Sequence, residues 1–145
     1  MAYELPEWAP TVQEVAVGII SRTKLPNDTN ANTFTEETTP TEEQVDELIE
    51  QACKLMAPQL GEVAGELIEQ VKILTAIRVR YMIEVSIFTE QVEAGISPYK
   101  SFWNEYCREK GEYELAARGL QPNSPSNIDS MQVGTEYPGY ATGTY

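Results

Sequence analysis

Residues 60–94 have the sequence LGEVAGELIEQVKILTAIRVRYMIEVSIFTEQVEA, in which apolar side chains recur with the period of an α-helix. The first half keeps one apolar stripe, formed by Leu60, Ala64, Leu67, Val71 and Leu74. From Ile73 onward a second apolar set covers the opposite side, so we expect the second half to be enclosed by its own chain or by neighbouring copies. A continuous helix over this stretch is about 50 Å long, so we expect it to project from the domain or to lie between subunits.

Two other structures compete with a helix over this stretch. A membrane span is disfavoured because charges are costly in hydrocarbon. Four charged residues interrupt the apolar run: Lys72, Arg78, Arg80 and Glu84. A strand over residues 81–88 fits the alternation of polar and apolar side chains there. No turn residue separates residues 81–88 from the helical pattern before them, so the sequence favours one long helix.

The composition is that of a small, strongly acidic chain. Its 145 residues are enough for one domain with a hydrophobic core, and its formal net charge is −13. That charge argues against nucleic-acid binding through a basic patch, although an acidic surface can still act near DNA by repelling it. Cys53 and Cys107 lack the spacing of a metal or redox motif, so we interpret both as free thiols.

A capping box marks the start of the first helix. Thr11 and Glu14 are spaced so that each side chain accepts a hydrogen bond from the other residue's backbone amide. We expect this helix to end near Arg22, because a cation is favoured at a helix C-terminus. Residues 24–40 are rich in turn formers and predict a loop, with Phe34 as its only aromatic residue. Phe34 either pins the loop to the core or belongs to a contact or lumen element, and both can hold.

A second capping box, Thr41 with Gln44, begins the second helix. We expect that helix to be broken by Pro58 and Gly61, before the long helix begins. Between residues 36 and 50 there are seven acids and no base. This run is either a solvated helix face or a wall that faces something negative to which the protein must not adhere.

The last helix is predicted to begin at Ser97 and Pro98, as N-cap and first helical residue, and to stop at Gly119. Residues 120–145 contain no Lys or Arg and few aliphatic side chains, so this segment is not expected to fold alone. Its tyrosines stand in a background of Gly, Pro and Thr, which is typical of an adhesive peptide.

Residues that commonly support catalysis are sparse. The chain has no histidine, the commonest general base and metal ligand, and no phosphate-binding loop or nucleophile elbow is present. Glu62, Glu66 and Glu69 share a helix face and could hold a divalent ion weakly, but a solvated face is the favoured interpretation. The sequence therefore predicts a protein that is not an enzyme, with no catalytic residue, no cofactor and no metal site.

Four short segments of the chain carry a likeness to a known family. They are residues 10–16 (PTVQEVA), residues 34–36 (FTE), residues 39–45 (TPTEEQV, followed by Leu48 and Ile49) and residues 97–99 (SPY). In their order and their local sequence, these segments resemble the head-to-tail adaptor (connector) proteins of long-tailed bacteriophages, over residues 10–118. Thr89 departs from the pattern, because a proline is expected there before Glu90 and Gln91.

The resemblance implies a place and a role. Such proteins form a ring, commonly dodecameric, beneath the portal at the head–tail junction of the virion, and they assemble in the host cytoplasm. The ring joins capsid to tail, extends the DNA channel and offers a platform to other neck proteins. The expected partners are further copies of this chain, the portal protein and a stopper or tail-completion protein. Double-stranded DNA would pass through without specific binding, and no membrane is involved.

The expected fold is all-α, a small helical bundle with one long central helix and an extended C-terminal tail. Residues 1–118 would form the helical adaptor domain and residues 119–145 the tail. The main alternative is a soluble helical protein-interaction or regulatory module that is not associated with virions.

Three sets of residues are predicted to serve the adaptor role. Packing between subunits is assigned to Ile73, Ile77, Tyr81, Ile83, Ile87 and Phe88. The predicted lumen-facing acids are Glu36, Glu37, Glu42, Glu43, Asp46 and Glu50. The predicted anchors of the tail on a partner are Tyr137, Tyr140 and Tyr145.

Overall fold

The computed structural model describes residues 3–120, and within this range the regular elements are helices, with no strand. The five α-helices of this range are α1 (Val12–Ala16), α2 (Glu42–Leu60), α3 (Ile68–Ile87), α4 (Thr89–Glu93) and α5 (Tyr99–Gly119). Two single 3₁₀ turns, Ile20–Arg22 and Gly65–Leu67, precede α2 and α3. The predicted all-α bundle with one long central helix is confirmed. Residues 121–145 of the predicted tail lie outside the described residues.

The long helix is shorter than its sequence pattern indicates. A continuous helix over residues 60–94 was expected, but α3 has 20 residues and is about 30 Å long. On its N-terminal side, Gly61 has a φ of +64°, a conformation that favours glycine and that ends α2. At its C-terminal end, Phe88 leaves the helical conformation, with φ −112° and ψ 46°. The alternative strand over residues 81–88 is wrong, because α3 continues through it to Ile87.

The core forms where α1 and α2 pack on α3. The buried face of α2 consists of Val45, Leu48, Ile49, Ala52, Cys53 and Met56. The buried apolar residues of α3 are Val71, Leu74, Ala76, Ile77, Val79 and Ile83. Phe34, only 2% exposed, attaches the loop before α2 to this core, so the expectation that Phe34 pins the loop is confirmed.

Both predicted capping boxes are present. Thr11 N donates to Glu14 Oε1 (2.8 Å), and Glu14 N donates to Thr11 Oγ1 (3.1 Å). Thr41 and Gln44 exchange the same pair of hydrogen bonds, at 2.9 and 3.2 Å. Each box satisfies two backbone amides that the helix itself leaves without acceptors.

The predicted end of the first helix is wrong, and the predicted break after the second helix is confirmed at Gly61 but not at Pro58. The first helix ends at Ala16 instead of near Arg22, because α3 reaches its last carbonyl groups, as described below. The second helix continues through Pro58 to Leu60, where Gly61 supplies the stop. A proline this close to the C-terminus removes only one hydrogen bond of the last turn, so the helix tolerates it.

The predicted start of the last helix is confirmed at its cap. Ser97 Oγ accepts a hydrogen bond from Tyr99 N (3.2 Å), and α5 begins at Tyr99. Within α5 the chain passes from one compact unit, residues 1–113, to a second, residues 114–145. The surfaces described below belong to residues 3–113, and the predicted domain boundary at residue 118 stays a prediction.

Candidate interaction surfaces

The predicted lumen acids form an exposed acidic surface around the start of α2. Four of them, together with Thr41, line a depression of about 470 Å³: Glu36, Glu42, Glu43 and Asp46. Glu37 is also exposed, and within residues 3–120 none of these five carboxylates forms a salt bridge. Glu50 differs from the others, because it pairs with Lys54 one turn later at 2.9 Å. That these acids face a lumen stays a prediction.

The residues predicted to pack between subunits fall into two groups. Ile77 and Ile83 are 1% and 0% exposed within the single chain, so they belong to its own core and leave no surface for a neighbour. Tyr81, Ile87 and Phe88 are half-buried. Only Ile73, at 58% exposure, presents most of its side chain to the outside. Of the six predicted residues, only the last four are therefore available to pack against another copy.

An apolar depression of about 180 Å³ lies between α1 and α3, beside Ile73. Val17, which is 60% exposed, stands on its other side, and the buried Ala76 contributes to the wall between them. The remaining lining residues are charged: Glu14, Glu69, Lys72 and Arg80.

A buried polar cluster joins the C-terminal half of α3 to three other segments. Glu84 is 0% exposed and accepts two hydrogen bonds from Arg22, from Nε at 2.8 Å and from Nη2 at 2.6 Å. Arg22 Nη2 also donates to Gln91 Oε1 of α4 (2.8 Å), and its guanidinium lies 3.6 Å from the centre of the Phe88 ring. Ser97 Oγ donates to Glu84 Oε1 (2.8 Å). Glu84 thereby holds the N-terminal segment and the start of α5 to the same point of α3.

Sequence reasoning missed this cluster, because it treated Glu84 only as a charge that disfavours a membrane span. The available signal was its helical position: a lone carboxylate among apolar residues is costly to bury unless a cation meets it. The sequence could not show that Arg22 is that cation, because the two residues are 62 positions apart.

Arg80 of α3 caps the C-terminus of α1. Its Nε donates to Val15 O (3.0 Å) and its Nη2 to Glu14 O (2.9 Å), two carbonyl groups in the last turn of the short helix. Val15 O also accepts a longer hydrogen bond from Gly18 N (3.4 Å). The guanidinium passes so close to Gly18 that a Cβ there would lie 2.2 Å from Arg80 Cζ. Burial lowers the pKa of Arg80 from its ordinary value, and the nearby Glu105 acts in the opposite direction.

Aromatic side chains attach α5 to α3. Trp103 lies between Tyr81 and Tyr106, with ring centres 4.9 and 5.4 Å away, and Tyr99 extends the group at 6.5 Å from Tyr81. The Arg78 guanidinium lies 5.3 Å from the Trp103 ring centre and 5.2 Å from that of Tyr106. Arg78 Nε is buried without a hydrogen-bond acceptor, so these ring faces supply its electrostatic partner. Tyr106 is 3% exposed and belongs to the core.

The two cysteines have contrasting environments. Cys53 is buried, and burial, assisted by the charge of Glu50, raises the pKa of its thiol to about 11. Cys107 is exposed on α5. Residues 3–120 hold no group of three or more His, Cys, Asp or Glu side chains placed to bind a metal ion. None of the helices in this range combines the length and apolarity that a membrane span requires.

The chain matches no protein-family model, no curated protein and no solved structure. Of the predicted site residues, the structure brings four acids together around one depression. The tail tyrosines Tyr137, Tyr140 and Tyr145 lie outside the described residues.

Proposed function

We propose that this protein is a structural component of a bacteriophage virion. Its copies would form a ring, taken to be dodecameric, below the portal, where the ring joins capsid to tail and extends the DNA channel. The observation that carries the proposal is the exposed acidic surface at the start of α2, whose carboxylates form no salt bridge within residues 3–120. The segment-by-segment resemblance of residues 10–118 to head-to-tail adaptors supports the same role.

The acidic surface suits a channel through which DNA moves. Double-stranded DNA carries one negative charge per about 1.7 Å of its axis, so a wall of unpaired carboxylates repels it and prevents adhesion. A cation near these acids would weaken that repulsion, and within residues 3–120 only Glu50 of the predicted lumen set has such a partner. The surface thus favours transit of DNA without specific binding.

The proposed role needs partners and no chemistry. The ring would contact the portal protein on one side and a stopper or tail-completion protein on the other, after assembly in the host cytoplasm. Tyr137, Tyr140 and Tyr145 would anchor the C-terminal segment on a partner, because tyrosines supply large contact areas at low entropic cost. No catalytic residue, cofactor or metal ion takes part in this role.

The first test is to locate the chain on purified phage particles. Immunogold electron microscopy with an antibody against residues 120–132 should label the head–tail junction, and mass spectrometry of the particles should detect the chain. Labelling at another position would keep a structural protein but reject the adaptor position. Absence by both methods would reject the adaptor and support the soluble helical interaction module.

A second test addresses the acids. The variant Glu36→Lys/Asp46→Lys reverses two exposed charges outside the first turn of α2, so it spares the favourable acids at the helix N-terminus. We expect slower DNA ejection from particles that carry it, and a stronger dependence of ejection on salt. The matched control Glu62→Lys/Glu66→Lys makes the same change of net charge at exposed positions outside this surface. Equal ejection rates for the two variants would contradict the lumen assignment.

A further inference from the structure

Ile96 is a rigidly held, exposed apolar residue. At 72% exposure it is the most accessible large hydrophobic side chain within residues 3–113. It follows Gly95, whose φ is +78°, and its N–H donates to Gln91 O at 3.0 Å. This is the hydrogen bond that closes a helix ending in a left-handed glycine. The backbone that presents Ile96 is therefore fixed.

Ile96 lacks the contact that normally accompanies this turn. The residue after the glycine usually packs on an apolar side chain in the last turn of the helix. In α4 those positions are occupied by Glu90 and Gln91, which are polar. The following residue, Ser97, is held by its hydrogen bond to the buried Glu84. An apolar side chain on so ordered a turn loses little entropy when it binds a partner.

The depression between Val17 and Ile73 is concave, whereas the exposed Ile96 side chain projects from the surface. Both flanking residues are more than half exposed, at 60% and 58%, while Ala76 in the wall is 3% exposed. No side chain within residues 3–113 covers the two exposed aliphatic groups. Burying either of them would remove apolar area from water, which favours association.

The surroundings of Ile96 are acidic, whereas the charges around the depression balance, so an acidic segment can approach the depression without net repulsion. Ile96 follows the exposed acids Glu90 and Glu93, and no Lys or Arg occurs between residues 88 and 99. The depression carries Lys72 and Arg80 against Glu14 and Glu69, so two positive and two negative charges balance in a chain of net charge −13. Lys72 is 28% exposed, and its ammonium group lies 3.6 Å from the carboxylate of Glu69, whose side chain is 81% exposed. Such a surface pair is weak, so an acid from another molecule can compete with Glu69 for Lys72.

We propose that Ile96 of one copy inserts between Val17 and Ile73 of a second copy. This inference rests on the proposed ring assembly, to which it assigns a specific contact. Because the inserting and receiving surfaces are different parts of the chain, each copy can do both. A contact of this kind repeats from copy to copy and closes into a ring when the rotation between copies permits.

Disulfide cross-linking of the full chain tests this contact. The variant Ile73→Cys/Ile96→Cys/Cys107→Ser places one thiol on each surface and removes the exposed native thiol, while the buried Cys53 is retained. Mild oxidation, followed by thiol blocking and a non-reducing denaturing gel, should give a ladder that continues beyond dimers, both in concentrated solution and in purified particles. The control Leu55→Cys/Ile96→Cys/Cys107→Ser uses another exposed aliphatic position, at 49% exposure, and should give no ladder.

Serine variants supply the energetic test. Ile96→Ser and Ile73→Ser each remove an exposed side chain, so far-UV circular dichroism should show an unchanged fold. Self-association should weaken by about tenfold to a hundredfold, as expected for loss of one buried aliphatic contact. Leu55→Ser should leave it unchanged.

The outcomes separate the contact from the adaptor role. Particles that contain the chain but yield no ladder would overturn the contact and leave the adaptor proposal standing. A ladder in solution together with absence of the chain from particles would support the contact and reject the adaptor. Cross-linking that stops at dimers, or that is equally strong in the Leu55 control, would overturn the repeating contact.

Discussion

Glu84 shows how a single residue can hold several segments of a small protein together. Its carboxylate lies in the core, where an unpaired charge would be very costly, and Arg22 compensates it with two hydrogen bonds. A buried pair of this type contributes modestly to stability compared with apolar residues of the same size, but it is strongly destabilising to break. Its value lies in fixing which segments meet at this point of α3.

We predict that Glu84→Gln lowers the free energy of unfolding by about 3 kcal/mol, the low end for a broken buried pair, because Arg22, whose side chain is 15% exposed, loses its counter-charge. Urea unfolding followed by circular dichroism measures the change. The control Lys54→Ala breaks the exposed pair with Glu50 and should cost less than about 1 kcal/mol. The double variant Arg22→Met/Glu84→Leu should lose less free energy of unfolding than the sum of the losses in Arg22→Met and in Glu84→Leu alone. Additive losses would show that the two residues are not coupled.

The thiols give a second prediction at this scale. Cys107 should react rapidly with a thiol reagent in the folded protein, and Cys53 only after unfolding, because Cys53 is buried. The raised pKa of Cys53 has a consequence for stability. Because the folded state holds the Cys53 proton more tightly than the unfolded state does, the protonated thiol contributes to the free energy of unfolding. This contribution is complete below the ordinary pKa of 9.0 and is lost as pH rises through about 11.

Counting labelled thiols by mass spectrometry, with and without denaturant, checks the difference in reactivity. The variant Cys107→Ser should show no rapid labelling. Rapid modification of both thiols in the folded wild-type chain would contradict the burial of Cys53.

At the scale of elements, helix starts were predictable and some helix ends were not. A capping box involves residues three positions apart, so Thr11 and Thr41 could be recognised from the sequence alone. The end of α1 depends on Arg80, whose guanidinium reaches Val15 O from 65 positions away. Apolar periodicity likewise continued past Gly61, because it records which side chains are buried and not whether the backbone is continuous.

We predict that Gly18→Ala destabilises the protein by about 1–3 kcal/mol. The new Cβ would force the Arg80 guanidinium away from the carbonyl groups of α1, so that both hydrogen bonds from Arg80 would be lost. Gly111→Ala is the matched control, since nothing lies within 4 Å of its Cβ position and alanine is a better helix former by about 1 kcal/mol. Urea unfolding should therefore show opposite signs for the two substitutions.

A double-mutant cycle identifies the cause. In an Arg80→Ala background the obstacle to the Gly18 Cβ is gone, so Gly18→Ala should have little further effect on the free energy of unfolding. An unchanged penalty in that background would place the cause in the backbone of Gly18 itself.

At the scale of the whole molecule, the sequence predicted the fold class and the core residues better than the surfaces. Ile77 and Ile83 were correctly recognised as residues to be enclosed, but they are enclosed by their own chain. A helix that is apolar nearly all round does not reveal which neighbour covers each side. Exposure of the acids at residues 36–46 was easier to anticipate, because unpaired charges stay in water.

The net charge of −13 leads to a prediction for the whole chain. Mutual repulsion of the exposed acids opposes the compact state, and salt screens that repulsion. We expect the midpoint of thermal unfolding to rise by a few degrees between low and physiological ionic strength, which corresponds to about 1 kcal/mol.

Differential scanning calorimetry at several sodium chloride concentrations measures this shift. The variant Glu36→Gln/Asp46→Asn removes two unpaired charges and should show a smaller dependence on salt. A midpoint that falls with added salt would mean that favourable ion pairs outweigh the repulsion.

Two arginines bind the beginning of the chain to α3: Arg80 holds the carbonyl groups of α1, and Arg22 meets Glu84. A fragment that begins at Thr23 would therefore retain the whole of α2 and α3 and still be incomplete. In such a fragment the buried carboxylate of Glu84 would have lost Arg22, its counter-ion, and Arg80 would have lost the carbonyl groups that accept its hydrogen bonds. Proteolysis or an expression boundary between Thr11 and Arg22 is thus a cut into the core, even though residues 11–22 contain only one α-helix, of five residues.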